Sequence, residues 1–302
     1  MNANKYSILK EDSRLQHKLE SKSINPPETT ENIAKRPNYN ILLGTTPLKP
    51  KQMPRAWRTF VIAMDQDSQR FRSFEKNNSH LDFEVFNAVN GKNLNFKELV
   101  SNGLVTEELS TSPLLTKGRA GCAESHRSLW RKSVNENISL LILEDDCYTH
   151  PGIEPFINAR LQTLSSIDIC LFGVNTDVAF HSISPQGLAS ITIFMPKYPR
   201  EEWIKNALQR TKPTAVTFHK LLRGAGFCTY FITPKGASKM LAQIFPLSLE
   251  ERDPYRTILP FSTDRSASKV YRDIAAAVCQ PFMAYTPNTD SSTVMRPNKN
   301  IQ

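Results

Sequence analysis

A chain of 302 residues with 39% hydrophobic and 22% charged residues has enough apolar material for one large folded domain or two small ones. No apolar run of about 18 residues occurs, which excludes a transmembrane helix. The net charge of +9 attracts phosphates, whether on nucleotides, nucleic acid or anionic lipid, but it is dispersed, without the clustered stripe or module of a nucleic-acid binder.

Residues 1–54 hold six of the 20 prolines and nine Lys/Arg against five Asp/Glu, with no Trp or Phe. Such a segment cannot bury enough apolar surface to offset its ordering entropy, so a disordered or loosely attached basic tail is expected, apart from a short helix over 5–24. Two readings of the tail stand: a solvated extension, or a peripheral contact with an anionic membrane face or a partner protein. The opening residues carry no apolar stretch of signal-peptide length. The five cysteines form no CxxC or zinc-type spacing and read as buried free thiols. A cytoplasmic location is therefore expected, with a peripheral position at the inner membrane face left open.

The folded domain is expected over 55–290, followed by a polar tail over 291–302. It opens with a buried strand over 58–64, then a helix capped by Asp65 or Asp67 with Phe71 and Phe74 at helical spacing. The next strand, 83–89, closes at the Asn90-Gly91 turn signal. Residues 92–118 are mixed. Cys122, His126, Leu129 and Trp130 follow three/four spacing in a helix over 119–134. The strand ISLLILEDD then runs into Glu144, Asp145 and Asp146. A helix near 153–164 and the buried strand IDICLFGV continue the alternation. Strand–helix repetition of this kind predicts an α/β domain with a mostly parallel central sheet. The second half is less regular: strands at 189–195 and 225–233, a helix from Pro234 to Phe245, a polar and basic stretch over 196–220, and a turn-rich one over 253–264.

Three carboxylates at the end of a buried strand repel one another and need hydration or a partner. A hard cation, Mn²⁺ or Mg²⁺, removes that cost, and the carboxyl ends of strands in an open α/β sheet are where ligands bind. Asp146 is the best direct metal ligand, and strand alternation places Glu144 on its side, with Asp145 pointing elsewhere. The bland alternative is a solvated acidic turn. His126 is open between a satisfied helix histidine and a donor-pocket residue, Arg70 between a solvated side chain and a diphosphate partner, and His219 between a surface histidine and a further metal ligand. Cys122 and Trp130 read as core.

The ordered blocks Val61-Ile62 to Arg70, Phe83 to Gly91, Gly118-Arg-Ala-Gly121-Cys122-Ala-Glu124-Ser125-His126 to Trp130, Leu143 to Asp146, Ile167 to Gly173 and Gly226 to Ala237 resemble glycosyltransferase family 25, over residues 58 to about 290. The resemblance implies a single GT-A-like (nucleotide-diphospho-sugar transferase) domain, a UDP-hexose donor, a divalent metal and a glycan or lipopolysaccharide-type acceptor. It places Asp65 and Arg70 near the nucleotide, Ser125 and His126 at the donor pocket, and 144–146 at the metal. Gln66 stands where the family commonly has a basic residue. The late acidic residue that would activate an acceptor hydroxyl is best matched by Asp264, with Asp253 second. The expected chemistry is an inverting hexosyl transfer, galactosyl first. The rival expectation is an inactive relative that binds nucleotide-sugar or glycan as a scaffold.

Overall fold

The computed structural model describes residues 56–194, 199–249 and 262–287. The tails over 1–54 and 291–302, and Asp253, lie outside the described residues. The described part falls in one compact unit.

The first half builds strand β1 (Trp57–Ala63), helix α1 (Gln69–Asn77), β2 (Glu84–Asn87), the short helices α2 (Phe96–Ser101) and α3 (Glu107–Ser110), the long α4 (Lys117–Glu136) and β3 (Ser139–Glu144). Then come β4 (Tyr148–Thr149), α5 (Ile153–Ala159), α6 (Leu161–Ser165) and β5 (Ile169–Gly173). The second half adds β6 (Phe180–Ile183), β7 (Ala189–Thr192), α7 (Glu201–Arg210), β8 (Thr217–Arg223), β9 (Thr229–Ile232), α8 (Pro234–Ile244), α9 (Thr263–Val270), β10 (Ala276–Gln280) and β11 (Ala284–Tyr285).

Nine strands form one sheet in the order β2-β1-β3-β9-β5-β10-β8-β6-β7. Six of the nine run in one direction, while β9, β8 and β7 oppose them. The sheet is thus parallel in its majority direction but mixed in its pairings. β9, late in the sequence, is inserted antiparallel between β3 and β5.

Strand alternation sends successive residues to two apolar layers. Leu140, Ile142 and Tyr230 face the layer made with α4, α8 and α9, while Leu141, Leu143 and Phe231 face the layer made with α1, α5 and α6. In α1, Phe71 and Phe74 occupy one face and are buried, each worth about 1.5–3 kcal/mol relative to exposure. The cap of α1 is Ser68, whose hydroxyl accepts from Phe71 N–H, not either aspartate. Asp65 instead accepts from Asp67 N–H in the preceding turn. The helix expected near 153–164 is broken at Arg160 into α5 and α6. The polar stretch 196–220 holds α7 and β8. Its helix is amphipathic and buries only Ile204 and Leu208.

Several motif glycines are packing devices. A Cβ at Gly91 would stand 1.7 Å from the Lys117 carbonyl oxygen, and one at Gly121 2.4 Å from the Val89 carbonyl oxygen, so the loop after β2 lies directly on α4. Gly236 likewise abuts Asp168 O, 1.8 Å from an ideal Cβ. The buried Asp168 carboxylate accepts from Ala275 N–H and pairs with Lys239. That block ties α8 and the turn before β10 to the start of β5.

Candidate active site

β1 and β3 pair in parallel with Ile62 opposite Glu144. Their carboxyl ends therefore emerge together, and the turn that begins α1 sits beside the acidic run. Arg70, in the first turn of α1, reaches across this edge. One guanidinium nitrogen lies 2.6 Å from Asp145 Oδ1 and 3.2 Å from Asp146 Oδ2.

All three carboxylates act on Arg70, but their direct partners differ. β3 ends at Glu144, so the expected alternation stops there. Asp145 and Asp146 share Arg70, whereas Glu144 keeps the parity of Leu140 and Ile142 and turns toward α4, with His126 Nε2 3.6 Å from its Oε1. Asp145 does not point elsewhere, as strand alternation led one to expect: it shares Arg70 with Asp146, and Glu144 acts on Asp146 more strongly than Asp145 does.

The charges respond to their surroundings. Burial raises Asp145, against the pull of Arg70. Burial also pushes Asp146 up to about 6; Arg70 opposes the rise, while Glu144 and Asp145 add to it. For Glu144, burial is outweighed by His126 and Arg70, and its carboxyl is held below the usual range. Arg70 is raised: burial works against its charge, but the three carboxylates win. Three acids facing one guanidinium leave negative charge uncompensated, and Asp146 answers by keeping its proton up to about pH 6. An oxygen-only donor set with surplus negative charge fits a hard divalent cation.

His126 belongs to a second, fully buried network. Trp130 Nε1–H lies 2.9 Å from the Tyr230 oxygen, and Tyr230 Oη lies 2.8 Å from His126 Nδ1. Trp can only donate, so Tyr230 accepts from it and passes its own hydrogen to Nδ1. Burial pushes the Tyr230 phenol well up, which keeps that hydrogen in place. The donor arithmetic assigns the imidazole proton to Nε2, aimed at Glu144. Cys122, one turn before His126, completes a group whose ligand atoms lie within 4.8 Å of one another: Cys122, His126 and Glu144. A cation on Nε2 would need the ring proton moved to Nδ1, stranding the Tyr230 hydrogen. The trio is thus better satisfied as a hydrogen-bonded cluster than as a soft-metal site.

Asp264, in the first turn of α9, joins the same region. Its Oδ2 accepts from Gly226 N–H at 2.9 Å. Gly226 has φ +97°, and a Cβ there would meet Asn175 N at 2.4 Å. Only glycine permits this close backbone approach. Cys122 is pushed well up by burial, then by Glu144 and Asp264, so both carboxylates act on one thiol.

The other sequence candidates are placed differently. Ser125 is wholly buried; its hydroxyl donates to Gly121 O and accepts from Val89 N–H, both at 2.8 Å. It braces the loop after β2. Asp65 is exposed in the turn between β1 and α1, at the same sheet edge as the acidic run. His219, on β8, contacts Thr217 on its own strand. Two residues of the site escaped the sequence reading. Tyr230 stood in the Gly226 to Ala237 block but was given no role of its own; Thr286, which hydrogen-bonds Asp146, carried no signal.

A family model described as "Glycosyltransferase family 25 (LPS biosynthesis protein)" matches residues 57–254. The "Lipooligosaccharide biosynthesis protein lex-1" of Haemophilus influenzae (strain ATCC 51907 / DSM 11121 / KW20 / Rd) is 44% identical over 55 residues, which span 18% of this chain and 18% of that relative. A solved structure, "Crystal Structure of A197 from STIV", aligns with 74% of this chain and 80% of that one at 9% identity and a TM-score of 0.31. No described helix is long and apolar enough to cross a membrane.

Proposed function

The chain belongs to glycosyltransferase family 25, and from that premise we propose that it moves a hexose, galactose first among candidates, from a UDP-sugar to a glycan or lipopolysaccharide-type acceptor. The observation that carries the reading is the gathering of three carboxylates at the carboxyl edge of the sheet, with Arg70 on Asp145 and Asp146 and His126 beside Glu144.

In this reading the domain works as a GT-A-type transferase. Mn²⁺ or Mg²⁺ held at Asp146, with Glu144 as the second carboxylate, would neutralise charge on a leaving diphosphate. Arg70 offers a guanidinium fork to phosphate oxygens, and Asp65 flanks it from the same turn. His126 keeps Glu144 ionised and oriented, and Ser125 holds the wall behind it. Asp264 takes the acceptor hydroxyl proton as that oxygen attacks the anomeric carbon and the bond to the diphosphate breaks. One displacement inverts the anomeric centre.

The test is a screen of nucleotide-sugars for Mn²⁺-dependent hydrolysis and transfer, with Asp146→Ala as control. Loss of turnover in the variant and in EDTA is expected. Full wild-type activity in EDTA removes the metal role, and a product of retained configuration removes Asp264 as base.

A second reading is a nucleotide-sugar or glycan-binding scaffold without turnover. It draws on the fact that Arg70 already spans Asp145 and Asp146. UDP binding without hydrolysis or transfer of any donor would favour it.

A further inference from the structure

Helix α7 buries Ile204 and Leu208, yet it carries Trp203, at 42% exposure the only aromatic side chain among the described residues that is left in solvent. A lone exposed apolar side chain needs no explanation by itself. This one is held in a fixed place. Its ring meets Tyr285 at 5.4 Å and 89°, an edge contact in which Tyr285 covers at most one face of the indole. Tyr285 in turn crosses Phe282 at 5.6 Å and 81°, and both are buried. The indole therefore stands against a wall of packed rings.

That wall is tied to the acidic edge by two short paths. Tyr285 lies opposite Tyr148 in the β4–β11 pair, and Tyr148, two residues after Asp146, hydrogen-bonds Glu201 in the first turn of α7. Thr286, the residue after Tyr285, hydrogen-bonds Asp146. β11 itself sits against the carboxyl end of β5. Met283 N–H donates to Phe172 O at 3.0 Å, and a Cβ on Gly173 would stand 2.5 Å from Ala284 O. Asp264 arrives at the same strand end through Gly226, which packs on Asn175, two residues beyond β5. In the sheet order, β1, with Asp65 and Arg70 following it, lies on one side of β3, and β5 lies on the other.

We propose that Trp203 is an acceptor platform, its indole stacking on the C–H face of a hexopyranose ring bound on the Asp264 side of the carboxylates. The role of that ring as acceptor rests on the transferase reading above. A pyranose carries C–H groups on its faces and hydroxyls at its rim, so an aromatic plane with polar groups beside it is the matching surface. Asn206, exposed and three residues further along the helix, neighbours Trp203 and offers an amide to rim hydroxyls. The nucleotide base is the poorer occupant, because Arg70, the partner assigned to the diphosphate, approaches from β1.

The test follows the three indole N–H signals of the full chain by nitrogen-15 NMR, with Trp203→Tyr to assign one of them. Trp57 and Trp130 are buried and serve as internal controls. Methyl glucopyranoside, galactopyranoside and mannopyranoside are titrated, and UDP separately. At least one pyranoside should shift the Trp203 signal and leave the other two in place. Saturation transfer to that sugar should show about tenfold weaker binding by Trp203→Ala and at most about threefold weaker binding by Trp203→Tyr, with melting temperatures checking the fold. A Trp203 signal unmoved by all three sugars overturns the proposal, and so does equal sugar binding by Trp203→Ala. A signal that answers UDP and no pyranoside also overturns it, giving the indole to the base. Donor hydrolysis measured alongside separates the two readings. Pyranoside at Trp203 without turnover of any donor keeps the platform and removes the transferase; turnover with an indifferent Trp203 does the reverse.

Discussion

The phenol of Tyr230 holds Nδ1 of His126 at 2.8 Å in a fully buried pocket, so a strand residue decides which imidazole nitrogen carries the proton. Tyr230→Phe preserves the ring and removes the hydrogen. Trp130 Nε1–H and His126 Nδ1 then lose their partner, for an expected loss of about 1–3 kcal/mol. Nitrogen-15 NMR of the imidazole should show the Nε2–H tautomer in the wild type and a mixture in the variant. An unchanged tautomer would refute the assignment.

Asp146 gives a pH signature. Its carboxyl titrates near 6 in the folded protein against about 3.9 in an unfolded chain. An acid with a raised folded value contributes most at low pH and loses that contribution as pH rises through about 6, a difference of up to about 3 kcal/mol. Asp146→Asn should therefore raise the melting temperature at pH 8 without added metal and have little effect near pH 4. Mn²⁺ should raise the wild-type melting temperature at pH 8 and leave the variant unmoved. Equal wild-type and variant curves at pH 8 would count against the buried-charge account.

Arg70 offsets Asp145 and Asp146 together. Arg70→Met leaves both carboxylates without their main cation, so Asp146 should titrate higher still. The apparent affinity for a UDP-sugar should fall about 10–100-fold if the guanidinium also meets the diphosphate. Isothermal titration with UDP separates the two effects: a purely structural Arg70 would change stability and leave UDP affinity intact.

The loop after β2 should be intolerant of any side chain at its contact with α4. Gly121→Ala drives a methyl group into the Val89 carbonyl and should cost about 1–3 kcal/mol or more. Ser125→Ala removes a buried hydroxyl with two backbone partners and should cost about 1–3 kcal/mol. Denaturant melts check both. If Ser125→Ala lowers donor affinity with stability unchanged, the serine contacts the donor after all.

Much of the sheet could be read from the chain because its centre is fully buried. β3 and β5 are uninterrupted apolar runs, and α4 carries its three/four pattern under a Thr116 cap. The acidic run was visible because carboxylates after such a strand are costly. What stayed hidden depended on distant partners. Alternation ends with the strand at Glu144, so sequence spacing set Asp145 apart where Arg70 brings it together with Asp146. The bracing role of Ser125 was invisible because its partners, Val89 N–H and Gly121 O, are backbone groups. α7 and β8 were lost in a polar stretch because each buries a thin stripe, and β7 buries almost nothing.

The placement of β9 bears on synthesis. Until Thr229–Ile232 has been made, β3 and β5 present open, apolar, hydrogen-bond-hungry borders to one another. At about 5–20 residues per second, several seconds pass between completion of β5 and arrival of the strand that closes the gap. A nascent or truncated product ending near residue 224 would hold the acidic run but lack the seam that makes the sheet continuous. Such fragments should precipitate or recruit chaperones, and the folded domain is expected to appear all at once, late, as the last third of the chain emerges.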